Sequence, residues 1–335
     1  MKKIVVTGGG GFVGQAIVRM ALIRGLDCTV IGRNHYPAIE ALGARCLAGD
    51  IRDAKFVAEG VRGADTVFHV AALAGIWGPW ASYQTINVFG TENVIGACRA
   101  SGVAHLVYTS TPSVVFDRDH ITGGDESLPY PRQFLCNYAK SKVIAEKMVL
   151  SANSESLATC AIRPHLVWGP EDPHLVPRLL MKGKKRELKR VGNGDNLVDI
   201  SYVDNVAHAH LLAANNLAGS RSAAGKAYFV SQCQPVNLWD WINELFERVG
   251  IEPVTAAVPF PVAYAAGAAL ELLHTFFRKE NEPRMTRFLS EQLAKSHYFS
   301  CGAIERDLGY SPIVSTDSGM EKLVEWIKCH EKILL

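Results

Sequence analysis

None of the cysteines in this chain stands as a C-x-x-C pair, and no histidine joins one at zinc-ligand spacing, although there are eight in all. That excludes a zinc cluster and a dithiol redox motif, and no metal is expected. A charge excess is missing too. Thirty-five Lys and Arg face 33 Asp and Glu, a net of +2, and no helical stretch gathers cations on one face. Nucleic acid is therefore not an expected partner. No apolar run reaches the ~20 residues of a membrane span. The most apolar stretch, VAYAAGAALELLHTFF (262–277), has 16 residues and contains Glu271 and His274. Its pattern predicts a buried amphipathic helix; lining a greasy pocket or resting on a membrane surface is the functional alternative. No leader pattern precedes Ile4-Val5-Val6-Thr7. The thiols are accordingly expected to be reduced and the protein cytoplasmic. Internal repeats and low-complexity tracts are absent as well.

What is present is a chain of 335 residues, 48% apolar, long enough to bury about three quarters of its unfolded surface. Its first 165 residues alternate strands (3–7, 28–31, 45–48, 66–70, 105–109, 157–163) with helices (13–24, 54–61, 83–100, 137–150). Such alternation predicts βαβ units, a parallel sheet and helices on both faces. The expected class is α/β: a Rossmann-type doubly wound sheet with a smaller, mostly helical C-terminal region for substrate. The texture changes near 170, at GPEDPHLVP, so residues 1–170 are assigned to cofactor and 171–335 to substrate. Segments near 190–231 return to the first domain, with a strand at 227–231.

Three motifs carry chemistry. VVTGGGGFVGQAIV follows the first strand and opens a helix. Gly8 serves a tight turn, Gly11 lets the backbone approach a pyrophosphate, and Gly14 lets helix and strand pack closely. Gly10, Phe12 and Val13 complete the loop and the helix N-terminus, whose free N–H groups attract phosphate. At the tip of the second strand, Gly32-Arg33 stands where an NAD-binding fold has an acid for the ribose 2′-OH. A guanidinium suits a 2′-phosphate instead, so Arg33 favours NADP(H) over NAD; the plain alternative is a solvated surface arginine.

In NYAKSK, Tyr138 and Lys142 lie four apart on one helix face. A phenol with an ordinary pKa near 10 exchanges protons poorly at neutral pH, and a nearby ammonium is expected to lower it. Tyr138 then becomes a general acid or base. In LVYTSTPSVVF, the hydroxyls of Ser110 and Thr111 end a strand, where one can hydrogen-bond a substrate carbonyl and the others form turns and caps.

With AGDIRD (48–53), GADTVFHVAA (63–72), INVFGTENVIGACRASGV (86–103), IRPHLVWGP (162–170) and VDISYVDNVAHAHLLA (198–213), these motifs resemble the extended short-chain dehydrogenase/reductase superfamily along the whole chain. The resemblance implies Asp50 and Ile51 near adenine, Ala71 and Ala72 at the cofactor ribose, and Pro164 on the nicotinamide side. Tyr138 and Lys142 reach the nicotinamide ribose as well as the reaction. The catalytic hydroxyl falls at Thr111, where most relatives have Ser; Ser110 stays a rival. Asn87 reads as a helix-anchoring residue.

TSTPSVVF, RPHLVWGPEDPHLVPR, VGNGDNLVDISYVDN and MTRFLSEQLAKSHYF resemble the 3β-hydroxysteroid dehydrogenase-like branch and, within it, bacterial 2-alkyl-3-oxoalkanoate reductases of olefin biosynthesis. That likeness implies NADPH-dependent reduction of the 3-oxo group of a bulky, hydrophobic small molecule. It also implies a homodimer and association with pathway enzymes. The rivals are a 3β-hydroxysteroid or sterol dehydrogenase and, in another class, a non-catalytic cofactor-binding regulator or scaffold. Trp77, Trp80, Phe134 and the 262–277 helix are apolar walls or core. KGKKRELKR is a steering patch or a solvated face.

Overall fold

The computed structural model describes residues 1–279 and 281–330. Its central sheet consists of β1 (Lys3–Thr7), β2 (Asp27–Gly32), β3 (Arg45–Ala48), β4 (Thr66–His69), β5 (His105–Thr109), β6 (Ala158–Pro164) and β7 (Ala227–Val230). All neighbours are parallel, in the order β7-β6-β5-β4-β1-β2-β3. This is the doubly wound arrangement, with its direction reversing between β1 and β4. β7 returns to the sheet from the C-terminal half and pairs with β6.

Strands buried on both faces need apolar cover on both, and helices supply it. On one face lie α1 (Phe12–Ile23), α6 (Val203–Ala218) and α10 (Gly302–Leu308); Ile17, Ala21, Leu211 and Ile304 close on Val6, Val30 and Ile162. The other face takes α2 (Ala54–Gly60), α3 (Gly90–Ala100) and α4 (Asn137–Ser151), whose Val57, Val94, Cys98 and Val149 cover Val5, Val67 and Leu106. A separate core joins α5 (Leu175–Lys184), α7 (Leu238–Arg248) and α11 (Thr316–Cys329) around Trp168, which meets Tyr202 and Trp241 edge-on. α8 (Phe260–Phe276) and α9 (Arg287–Ala294) pack on each other so tightly that a Cβ at Gly267 would lie 2.6 Å from the Thr286 backbone.

One expectation needs refinement and two need correction. The helix expected at 83–100 runs uninterrupted from Trp80 to Ala100, but with a wide π turn at Gln84–Phe89 inside it. Single π turns shift the following residues round the axis, and this one turns Asn87 inward. Second, Cys233 and Cys301, 68 residues apart, are disulfide-bonded, because the exit of β7 and the start of α10 converge; the other six cysteines are free. Third, α8 is not buried: its inward face is only Ala263, Gly267, Glu271 and His274, while Leu272 and Phe276 are 71% and 78% exposed.

Candidate active site

Every strand of a parallel sheet presents its C-terminal end on the same edge, and the sequence puts its candidates there. Gly8 follows β1, Arg33 follows β2, Asp50 and Ile51 follow β3, and Ala71 and Ala72 follow β4. Ser110 and Thr111 follow β5, and Pro164 ends β6. The strand order therefore brings distant stretches into one cleft, on both sides of the reversal point.

The glycine loop fits a dinucleotide. Gly8 has φ +70° and lies so close to the chain after β4 that a Cβ would sit 2.7 Å from the Ala71 nitrogen. A Cβ on Gly14 would strike the Gly8 carbonyl. Gly11 caps α1 with no side chain, leaving the N–H groups of Phe12 and Val13, the first helical residues, free of intrahelical acceptors. Phosphate oxygens find their donors at such a helix start. Tyr36, not anticipated from sequence, lays its ring against Gly10 and Gly32. Arg33 is exposed at the tip of β2 and makes no side-chain hydrogen bond among the described residues. It helps hold the Asp50 carboxyl below the usual range, after the larger effect of Arg52, which grips Asp50 at 2.7 and 3.0 Å.

The hydroxyl run divides by partner. Thr109 Oγ1 meets Nε2 of the buried His210 at 2.8 Å, whose Nδ1 serves the Val206 carbonyl, so Thr109 is spent on packing. Ser110 Oγ is buried and has no hydrogen-bond partner among the described residues. Thr111 caps a short 3-10 turn, its Oγ1 accepting the Ser113 N–H and meeting Ser113 Oγ at 3.3 Å, and it lies close enough to Tyr138 to influence that hydroxyl.

Tyr138 and Lys142 share α4 as expected, but Lys142 does not lower the phenol. Desolvation pushes Tyr138 up to about 12, against a smaller lowering by Thr111. Lys142 Nζ donates to the Thr109 carbonyl at 2.6 Å and stands 4.1 Å from the Tyr108 ring centroid. Burial brings its pKa down to about 7, against an opposing pull from Glu146. The expected ammonium–phenolate coupling is absent because the ammonium is turned to β5.

Several supports were not legible. Asn87 accepts the Leu73 N–H at 2.6 Å and donates to Ser141 Oγ at 2.9 Å, tying the post-β4 loop to α4. Thr7, His69 and Thr91 form a buried chain. Thr91 donates to the Asn87 carbonyl, so it accepts from His69 Nε2, and Thr7 donates to Nδ1. Glu146 clamps Arg163 through two bonds of 2.7 and 3.0 Å and accepts from the Tyr130 hydroxyl, joining α4 to β6 just before Pro164. Phe288 of α9 shares an apolar cluster with Phe116, Cys136, Phe134 and Tyr138, meeting Phe116 edge-on, so α9 closes on the side of the site. Trp77 meets His274 of α8 edge-on at 6.0 Å, whereas Trp80 lies under Lys140. His69 was inside a quoted motif, but only the fold shows its partners.

Comparison with known proteins agrees with this geometry. The model of the 3-beta hydroxysteroid dehydrogenase/isomerase family matches residues 5–262. A 2-alkyl-3-oxoalkanoate reductase of Shewanella oneidensis is 47% identical, covering 95% of this chain and 84% of that protein. One of Stenotrophomonas maltophilia is 46% identical, covering 96% and 98%. A decarboxylating sterol-4-alpha-carboxylate 3-dehydrogenase of Mus musculus is 33% identical, covering 97% and 90%. Among solved structures, gox2253 superposes with TM-score 0.80 at 26% identity, covering 98% and 99%. The dTDP-glucose 4,6-dehydratase DesIV of Streptomyces venezuelae, solved with NAD and TYD, gives 0.76 at 24%, covering 98% of each chain. The chain is an NAD(P)-dependent oxidoreductase of the extended short-chain dehydrogenase/reductase type and belongs to the 3-beta hydroxysteroid dehydrogenase/isomerase family.

Proposed function

We propose that the protein uses NADPH to reduce the 3-oxo group of a 2-alkyl-3-oxoalkanoic acid to the 3-hydroxy acid. The observation that carries the reading is the convergence of Thr111, just past the C-terminal end of β5, with Tyr138, whose hydroxyl it lies close enough to influence, one helical turn from Lys142 on α4. The two relatives above 45% identity bear the corresponding name.

NADPH, when bound, supplies the hydride. Gly8, Gly10, Gly11, Phe12, Val13 and Gly14 hold its pyrophosphate, and Arg33 holds the 2′-phosphate. Asp50, Ile51, Ala71, Ala72 and Pro164 line the remaining cofactor contacts. Thr111 donates to the substrate carbonyl oxygen; Ser110, whose Oγ has no partner among the described residues, supplements it. Tyr138 delivers the proton to that oxygen. A phenol held near 12 carries its proton at neutral pH and gives it up only as negative charge develops on the carbonyl oxygen during hydride transfer. Lys142 holds the nicotinamide ribose. The region 171–335, with Trp77, Phe134 and Phe288, walls the alkyl chains. A homodimer, a cytoplasmic location and association with enzymes of the same pathway complete the proposal.

Tyr138→Phe tests the mechanism. Turnover should drop by about 10²–10⁴ while NADPH binding persists; full activity in that variant would overturn it. The sterol dehydrogenase reading is favoured by the 33% relative that covers 97% of the chain, and sterol oxidation with NAD is its assay.

A further inference from the structure

A surface helix ordinarily turns its polar face to water. α8 does the reverse. Its one carboxylate and its one imidazole, Glu271 and His274, face inward: Glu271 binds Arg287 at 2.7 Å, and His274 bonds the Leu270 carbonyl and meets Trp77. Outward it shows Val262, Ala265, Ala269, Leu272 and Phe276, spaced 3-4-3-4, a single stripe about 21 Å long at the helical rise. Leu273 and Phe277 widen it at the C-terminal end, where exposure runs from 50% to 78%. Contiguous apolar surface of this kind marks an interaction site.

The stripe ends in cations. Arg278 and Lys279 follow it, both exposed, with Lys279 Nζ 6.0 Å from the Phe277 ring centroid. Arg284 is exposed nearby, close enough to Lys182 of α5 to weigh on its charge. No carboxylate lies on the exposed face of 261–279, since the only acid there is the buried Glu271. At 17 residues, about 25 Å, the helix is too short to span a bilayer, and no helix among the described residues is long and apolar enough to do so.

We propose that α8 is an interfacial helix that lies in the surface of an anionic membrane. Its apolar stripe enters the acyl boundary, and Arg278, Lys279 and Arg284 meet the headgroup phosphates. This is the geometry of monotopic amphipathic helices, in which apolar burial and attraction to anionic lipid act together. A second copy of the chain fits less well, because among residues 261–279 the exposed face carries no acid to receive the partner's cations, and Glu282 beyond it is taken by Arg178. The contacts of Trp77 with His274 and with the Lys279 carbonyl then hold the loop after β4, beside the site, at the lipid surface. That a lipidic substrate enters by this route rests on the reductase reading; the docking itself does not.

The test uses the full chain, vesicles of phosphatidylcholine with and without phosphatidylglycerol, and no substrate. A Phe276→Trp variant should bind the phosphatidylglycerol vesicles, and brominated acyl chains should quench its added emission. A Leu272→Ser/Phe276→Ser variant should bind at least about tenfold more weakly, with thermal stability and molecular mass unchanged. High salt should also weaken binding. Absence of vesicle binding, or equal binding by the double serine variant, would overturn the proposal. So would a fall in mass with those serines, which would assign the stripe to a second copy. None of these results bears on ketone reduction.

Discussion

Lys142 is 2% exposed and held by one carbonyl and one aromatic face, so its charge is the most costly in the site. Burial brings its pKa to about 7 from an ordinary 10.5, so between these values the unfolded chain binds more protons than the folded one. Folding stability carried by this group therefore rises as pH is raised from about 7 toward 10.5. Lys142→Met removes the dependence: the stability of the native enzyme relative to the variant should increase over that interval in denaturant titrations. A constant difference would contradict the assignment. Arg33 makes a second residue-scale prediction. Arg33→Ala should raise the KM for NADPH by about 10–100-fold and leave that for NADH nearly unchanged, which steady-state kinetics with each cofactor will read. The placing of Tyr138 and Lys142 on one helix and of the glycines in one turn was legible because it follows from spacing. The turn of Lys142 toward Thr109 was not, since it depends on a strand 33 residues away.

Among elements, α4 and β6 are joined by the ion pair of Glu146 and Arg163, whose side chains are 0% and 3% exposed. Removing one partner leaves the other buried and uncompensated. Glu146→Gln should cost about 3–5 kcal/mol of stability, measured by chemical denaturation, and loosen the helix that carries Tyr138. At the start of α1, Gly14→Ala drives a methyl into the Gly8 carbonyl and should abolish NADPH binding by calorimetry. Strands and helices of the first half were readable from their periods. The π turn at Gln84–Phe89 was not, because the same sequence satisfies a continuous helix until Asn87 is seen to bind Leu73 and Ser141. The 262–277 stretch defeated its pattern for a related reason: composition predicted burial, while Glu271 and His274 are held inside by Arg287 and Trp77.

Across the whole molecule, six neighbouring strands deliver the candidate residues to one edge, and Phe288 of α9 joins the apolar cluster beside Tyr138 from the C-terminal half. The sheet was legible in the alternation of elements. The pairing of Cys233 with Cys301 was not, because only the folded chain brings together residues so far apart in sequence. Burial also sets the acid limit. His69 is held down to about 3 and His210 to about 4, with His165 and His297 lowered as well, all by desolvation. Folded, they stay neutral while the unfolded chain takes up protons, so stability should fall steadily as pH drops below 6.5. Thermal melts at intervals of pH will show the decline, and a flat profile down to pH ~4 would contradict it. The central claim is tested most directly by NADPH oxidation with a 2-alkyl-3-oxo fatty acid, with NADH in parallel. Turnover that favours NADPH is the predicted result; silence with both cofactors, in a protein that still binds NADP, would contradict it.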